Sequence, residues 1–221
     1  DGYVKIFSDE RFGIFTRANH KLSPIRYRAT KRVSFWKWVS PSGEDGLIVL
    51  VHGLDRRNYD DSTRRMFFRR IREAIRRRES QGHQRTLITG DFNAHPFESA
   101  VMDADGLHAI GVQNVKAQVN REVRGAGSFD FFYNPMWRLY GHVGHSDAGA
   151  ATHYWLGRWC HEPAWYMLDQ VIIRPGELAR FPETAIRIVT QVGDVSLLDD
   201  AGLPDSQTAS DHLPLVFDWN L

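Results

Sequence analysis

The stretch Leu87-Ile-Thr-Gly-Asp-Phe-Asn93 sets an apolar run directly before two polar residues. The run Thr86–Thr89 is typical of a strand that is buried on both faces. If the strand continues through Asp91 and Asn93, both side chains point the same way, because side chains alternate along a strand. A carboxylate beside an amide oxygen suits a hard divalent cation with a phosphate oxygen next to it. Asp-Phe-Asn could equally form a turn, so the stretch alone leaves both interpretations open.

Three further segments place a polar residue where an apolar run begins, ends or is interrupted. An ionised carboxylate on a buried strand needs a partner. For Asp169 that partner is an arginine, a loop that it caps, or a histidine whose tautomer it fixes. The residues in question are His52, after Leu47–Val51; Asp169, inside Met167–Ile173; and Asp211 with His212, before Leu213–Phe217.

The composition is that of an ordinary soluble globular protein, with 42% hydrophobic and 25% charged residues in a chain of 221. No stretch looks like a linker, so we expect a single domain over residues 1–221. Cys160 is the only cysteine, which excludes an intrachain disulfide and a cysteine-based zinc site. No apolar run approaches the roughly 20 residues that span a bilayer, and no signal peptide opens the chain. We therefore expect a cytoplasmic location, although the chain starts at Asp1 and not at Met.

The pattern of elements predicts an α/β (α+β) fold in which sheet packs on sheet and helices cover the outer faces. A helix is predicted from an N-cap at Ser62 to about Arg78, because apolar residues recur there at helical spacing. A short helix is predicted over Glu98–Ala104. Strands are predicted at 12–17, 23–29, 32–39, 47–51, 86–89, 151–156, 167–173, 185–192 and 213–219.

Four motifs occur together in a familiar order: His52 at a strand end, Gly90-Asp-Phe-Asn93, Leu168-Asp-Gln-Val-Ile-Ile173 and Ser210-Asp-His-Leu-Pro214. Together they resemble the endonuclease/exonuclease/phosphatase superfamily, which is deoxyribonuclease I-like, and the resemblance extends from about Phe12 to the last strand. It implies a four-layer sandwich of two packed, mainly antiparallel β-sheets flanked by helices. It also implies metal-dependent hydrolysis of phosphodiester bonds.

The resemblance implies a catalytic role for five residues. His212 would act beside the scissile phosphate, with Asp169 orienting its ring. Asp91 would activate or position the attacking water, and Asn93 would hold a phosphate oxygen. His52 would be the second histidine of the deoxyribonuclease-like branch.

The implied cofactor is Mg²⁺ (or Mn²⁺), with Asp211 and Asp91 at the metal. The family also supplies an asparagine and a metal-binding glutamate from its first two strands, and neither is found here. Asp9 and Glu10 are weak substitutes, because their context is a loop. We expect an N-terminal segment or a partner to complete the sheet; the alternative is a metal-poor relative that binds nucleic acid without turnover.

Nucleic acid is the predicted substrate, with a phosphatase or phosphodiesterase acting on a small or lipid phosphate ester as the alternative. The eight arginines between Arg64 and Arg78 predict a basic helix face, which could attract phosphates or simply be solvated. Aromatic side chains interleaved with arginines can stack on bases. The predicted substrate contacts are Asn93, Arg56 and Asn58 after His52, and Asn134 and Trp137 in a loop-rich stretch.

Four histidines fall in the glycine-rich later part of the chain: His142, His145, His153 and His161. Their spacing fits no strong zinc pattern. We interpret them as surface loop residues.

Overall fold

The computed structural model describes residues 2–17, 20–40, 42–83, 85–112, 120–123, 127–140, 151–155, 165–182, 184 and 186–220. The helices are α1 (Asp61–Glu79), α2 (Ser99–Met102) and α3 (Met136–Tyr140), with a 3₁₀ helix at Pro175–Arg180. The strands are β1 (Tyr3–Ser8), β2 (Gly13–Arg17), β3 (Lys21–Ile25), β4 (Val33–Val39), β5 (Asp45–His52), β6 (Thr86–Asp91), β7 (Ala109–Ile110), β8 (Asn120–Val123), β9 (Gly127–Asp130), β10 (Phe132–Tyr133), β11 (His153–Tyr154), β12 (Trp165–Tyr166), β13 (Asp169–Ile173), β14 (Arg187–Ile188), β15 (Gln191–Val192), β16 (Val195–Ser196) and β17 (Leu215–Val216).

A seven-stranded mixed sheet with the order β3-β4-β5-β6-β13-β10-β7 forms the centre of the fold. Its three middle strands are the apolar runs of the sequence: β5 and β6 are parallel, and β13 runs antiparallel to β6. Alternate side chains of these strands enter two separate clusters of buried residues, one on each face. The continuous apolar runs are thus explained by burial on both faces.

Helix α1 connects the parallel strands β5 and β6 and covers one face of the sheet. It begins at Asp61 because Asp60, and not the predicted Ser62, is the N-cap: the Asp60 carboxylate accepts the Thr63 backbone N–H at 2.7 Å. Its apolar side chains, among them Phe68 and Ile71, pack against the sheet as the helical spacing predicted. No helix among the described residues is both long and apolar enough to cross a membrane.

The opposite face of the sheet is covered by the C-terminal part of the chain. Phe181 and Ile186 are buried there against Ile173, and β14 pairs antiparallel with β17. The large sheet therefore lies between α1 and this small sheet, which confirms the α/β sandwich class. The predicted strands at 185–192 and 213–219 are shorter in the structure, where each contains two-residue strands. Strand β1, which was not predicted, forms a hairpin with β2.

Candidate active site

Three of the predicted catalytic residues lie side by side at one end of the large sheet. His52 at the end of β5 is the register partner of Asp91 at the end of β6, and Asp91 is also the partner of Asp169 at the start of β13. Residues directly opposite on neighbouring strands project from the same face of a sheet. One histidine and two carboxylates thus form a single row across three strands.

The glycine before Asp91 allows this close approach of the strands. Gly90 has a φ of +134°, and a Cβ atom there would lie 2.1 Å from the backbone oxygen of Val51 on β5. Any larger residue would push β6 away from β5 or change the backbone conformation. Gly90 therefore sets where the Asp91 carboxylate lies relative to His52.

His212 reaches the row from the loop before β17. Its Nδ1 donates to Oδ2 of Asp169 at 2.7 Å. Burial of the ring lowers its pKa, but the hydrogen bond and the charge of Asp169, with the charges of Asp91 and Asp211, outweigh burial and raise the pKa of His212 to about 8. The ring is therefore mainly a protonated imidazolium at neutral pH.

The Asp91 carboxyl is an unusually weak acid. Burial and the neighbouring charge of Asp169 raise its pKa to about 6, although hydrogen bonding from Asn93 and the charge of His212 oppose the shift. The Asn93 backbone N–H donates to Oδ1 at 2.7 Å, and Asn93 Nδ2 donates to Oδ2 at 2.8 Å. Both interpretations of Asp-Phe-Asn therefore hold: a turn forms, with Asn93 at a positive φ of 49°, and the two side chains remain neighbours.

His52 and its basic neighbours lie at the other end of the row. Burial, followed by the charges of Arg32 and Arg11 and of His212, lowers the pKa of His52. The imidazole is therefore neutral at neutral pH, unlike His212. The two histidines of the site thus differ in protonation state because they have different neighbours.

A buried threonine that sequence reasoning missed connects the parts of the site. The Thr152 hydroxyl accepts the backbone N–H of Leu168 at 3.1 Å and that of Asp169 at 3.0 Å. The Thr152 backbone oxygen accepts the N–H of Leu213 at 2.7 Å. One residue thus binds both the start of β13 and the loop that carries His212. Its place in a predicted strand was the only signal, since the contacts are distant in sequence.

His153 lies against His212 and not in a surface loop, so our interpretation of this histidine is wrong. The two residues form an isolated β-bridge, and their ring centroids are 4.6 Å apart. His153 Nδ1 also donates to the backbone oxygen of Asp211 at 2.9 Å. The other three histidines of the group, His142, His145 and His161, lie outside the described residues.

The carboxylates of the site fit a hard divalent cation. Burial is the largest cause of the raised pKa of Asp91, and the nearby carboxylates of Asp169 and Asp211 add to it. Mg²⁺ is commonly held by one or two carboxylates, water and substrate phosphate. Asp91 and the exposed Asp211 offer such a set.

The two weak substitutes for the family's glutamate have other roles. The Asp9 carboxylate accepts the backbone N–H groups of Arg11 and Phe12 in the β1–β2 turn. Glu10 pairs with Lys31 at 3.5 Å on the surface. Neither residue has the environment of a metal ligand.

Two predicted substrate contacts follow His52 on an exposed loop. Arg56 pairs with Glu98 at 3.1 Å, and Asn58 Nδ2 donates to the Asp55 carboxylate at 2.9 Å. Trp137, the third, is half-buried, and its ring packs on Gly111, where a Cβ atom would lie 2.4 Å from the indole.

The prediction that Asn134 contacts substrate is wrong. Its side chain is completely buried, with 0% exposure. Asn134 Nδ2 donates to Gln170 at 2.8 Å, and Oδ1 accepts the Met136 N–H at the start of α3 at 3.0 Å. Both side-chain polar atoms thus have partners in the core, and the residue is structural.

Arginines of α1 divide into buried and exposed ones, so the helix is not a uniform basic face. Arg64 has 0% exposure. Its guanidinium donates to the backbone oxygens of Leu54 and Asn93, at 3.0 and 2.6 Å, and pairs with Glu98 at 2.8 Å. Arg72 is also buried, whereas Arg70 and Arg77 are exposed. Arg64 therefore joins α1 to the segments that follow β5 and β6, next to the site.

Comparison with known proteins finds similarity only among solved structures: no family model and no curated protein matches the sequence. A truncated TDP2 from Caenorhabditis elegans is 13% identical over 93% of this chain and 69% of its own, with a TM-score of 0.49. NExo from Neisseria, a 3′ phosphatase bound to a product DNA hairpin, is 12% identical over 100% of this chain and 80% of its own, with a TM-score of 0.49. The human Nocturnin catalytic domain with a bound sulfate is 17% identical over 93% of this chain and 62% of its own, with a TM-score of 0.46. At these identities the likeness concerns the course of the backbone, while the motifs of this chain resemble those of the endonuclease/exonuclease/phosphatase superfamily.

Proposed function

We propose that this chain hydrolyses phosphodiester bonds in nucleic acid with the help of a divalent cation. The observation that supports this best is the row of His52, Asp91 and Asp169, completed by the 2.7 Å hydrogen bond from His212 to Asp169. Hydrolysis of a phosphodiester needs a base for water and positive charge for the phosphate oxygens. Asp91 can supply the base, and protonated His212 can supply the positive charge.

The water is activated by the carboxylate of Asp91. With a pKa of about 6, this group is ionised at neutral pH but is a stronger base than an ordinary aspartate. It can therefore accept a proton from water as the oxygen attacks phosphorus. The Asn93 amide, which is bound to Asp91, can instead donate to a phosphate oxygen when substrate enters.

The negative charge of the transition state is balanced by His212. Its Nδ1–H is held by Asp169, so in the imidazolium the Nε2–H can face the phosphate. From this position it can stabilise a non-bridging oxygen or protonate the leaving oxygen. A cation held by Asp91 and Asp211 would supply further charge stabilisation as a Lewis acid.

A series of aromatic rings beside the hydrogen-bonded pair of His212 and Asp169 favours a polymer over a small ester. His153 stacks on Trp155 and contacts Tyr166, and successive ring contacts lead from Tyr166 through His95 to Phe97. Trp155 and Phe97 at its ends are 37% and 41% exposed. The two end rings can each stack on a base, a contact worth about 1–3 kcal/mol, whereas His95 between them is buried.

Cationic and polar groups near this series of rings supply contacts for the backbone of a nucleic acid. Arg57 lies 3.8 Å over the Trp155 ring and can reach a phosphate from there. Arg56 and Asn58 flank it on the same loop, and Trp137 packs edge-on to Phe97 at 6.1 Å. We assign these three residues to substrate binding.

The test is incubation of the purified protein with labelled single- and double-stranded DNA and RNA, with Mg²⁺ and then with EDTA. We expect shortened polymers with Mg²⁺ and none after chelation. Turnover that chelation leaves unchanged would refute the role of the metal. Release of phosphate from small monoesters, without cutting of polymers, would refute the nucleic-acid substrate.

A further inference from the structure

A second type of metal ligand set lies beside the oxygen ligands of the site. His153, Asp211 and His212 each have one atom able to bind a metal, and these three atoms lie within 4.8 Å of one another. The set contains two imidazoles and one carboxylate. It arises because the His153–His212 bridge brings two distant segments together.

Hydrogen bonds fix which nitrogen of each histidine is available. Nδ1 of His212 bonds to the Asp169 carboxylate at 2.7 Å, and Nδ1 of His153 bonds to the Asp211 backbone oxygen at 2.9 Å. Both partners are oxygen atoms that only accept, so each Nδ1 carries the proton. In the neutral rings, Nε2 then presents a lone pair.

This arrangement has the outer shell that metal-binding histidines require. A ligating histidine usually donates its other N–H to a carboxylate or a backbone carbonyl, which holds the ring in position and makes it more basic. His212 has the first kind of partner and His153 the second. The ring centroids lie 4.6 Å apart, and one ligand atom of each ring lies within 4.8 Å of the other and of an Asp211 oxygen.

The donor atoms select the class of ion. Imidazole nitrogen suits zinc and similar transition metals, whereas Mg²⁺ prefers oxygen ligands throughout. Three protein ligands with a fourth position open to water are common around zinc. We propose that His153, Asp211 and His212 form a zinc-binding site that overlaps the catalytic centre.

Occupation of this site has a consequence that rests on the proposed function. Zinc on His212 Nε2 takes the lone pair that would otherwise hold the proton facing the phosphate. Zinc therefore inhibits the magnesium-dependent reaction, and His153 determines how tightly it binds.

Isothermal titration with ZnCl₂, without substrate and in the absence of other metals, tests the site directly. We compare the protein with His153→Phe, which keeps an aromatic ring but has no ligand atom, and with His153→Gln as a second variant. His20→Phe is the matched control, because His20 also stacks on an aromatic ring, that of Trp38. Trp38 pairs with Gly46 at the start of β5, whereas the site lies at the end of β5. Circular dichroism confirms that each variant is folded.

We expect one zinc ion to bind, with the dissociation constant raised at least about tenfold in both His153 variants and unchanged in His20→Phe. Co²⁺ in place of zinc should give visible absorption bands that the His153 variants lack. No binding to the unaltered protein, or equal binding by His153→Phe, overturns the site.

A second measurement separates this site from the proposed function. Zinc is titrated into the Mg²⁺-dependent nuclease reaction, and we expect His153→Phe to need at least about tenfold more zinc for the same inhibition. A protein without nuclease activity refutes the proposed function, while the calorimetry still decides the zinc site. Equal inhibition of both proteins overturns the inhibitory role of this site.

Discussion

The Thr152 hydroxyl oxygen accepts the backbone N–H of Asp169 at 3.0 Å. The same oxygen also accepts the backbone N–H of the preceding residue, Leu168. Asp169 in turn accepts a hydrogen bond from His212, so the hydroxyl positions His212 through one intermediate residue. Thr152 is fully buried, so water cannot take over the role of its hydroxyl as acceptor unless the surrounding residues move.

Replacing Thr152 by valine should therefore reduce both stability and turnover. Valine has the same shape but leaves two N–H groups without an acceptor, which costs about 1–3 kcal/mol of the free energy of unfolding. Thr152→Ser keeps the hydroxyl and is the control. Urea denaturation and kcat check this, and equal values for Thr152→Val and the unaltered protein would contradict it.

The pH dependence of the reaction should depend on Asp169. In the proposed mechanism His212 acts in its protonated form, so we expect kcat/KM to fall as the pH rises through about 8, the pKa of His212. Asp169→Asn removes the charge that raises this pKa, and the fall should move to lower pH while kcat decreases about 10²–10⁴-fold. The measurement is a pH profile of kcat/KM for both proteins, and a fall at the same pH in Asp169→Asn would contradict the assignment.

We expect the ionised carboxylate of Asp91 to be needed for activity but to lower the free energy of unfolding. Its pKa is raised from 3.8 to about 6 in the folded state, so its contribution to stability is fully present below pH 3.8 and is lost as the pH rises through 6. Asp91→Asn removes this cost, and its free energy of unfolding should exceed that of the unaltered protein by about 2–3 kcal/mol at pH 7.5 in EDTA.

The difference between the two proteins should shrink toward pH 4, where the acid is largely protonated. Urea denaturation at several pH values measures it. Turnover by Asp91→Asn should fall about 10²–10⁴-fold. A variant that is less stable at pH 7.5 would show that the Asn93 hydrogen bonds outweigh the buried charge.

Arg64 and Arg70, both on α1, should differ in their effect on the fold. Arg64→Ala leaves Glu98 buried without its main partner and should lower the free energy of unfolding by about 3–5 kcal/mol. Arg70→Ala, at an exposed position on the same helix, should change it by no more than about 0.5 kcal/mol. Thermal and urea denaturation compare them, and equal destabilisation would contradict the structural role of Arg64.

The central strands and their polar ends could be predicted because both are local features. The apolar runs that become β5, β6 and β13 are visible in the sequence, and each carries one member of the row: His52, Asp91 and Asp169. Strand pairing then brings these residues together without further information.

Contacts between distant segments could not be predicted in the same way. His153 meets His212 through a single bridge, which leaves no periodic signal in either segment. Asn134 was misassigned because Pro135 suggested a loop; the Asn-Pro pair instead lies directly before α3, and Asn134 Oδ1 accepts the N–H of Met136, the first residue of that helix. An Asn-Pro pair read as a helix start would have identified this residue as structural.

Because His52, Asp91 and Asp169 share one register, the proposed activity would report whether the strands are correctly paired. A slip of β6 by a single position would turn its carboxylate toward the helix-covered side and bring an apolar or glycine neighbour into its place. Such a molecule could stay compact and rich in β-structure, so spectroscopy would count it as folded. In a refolded sample, the specific activity would therefore measure the fraction of molecules whose sheet is aligned, which bulk optical signals do not resolve.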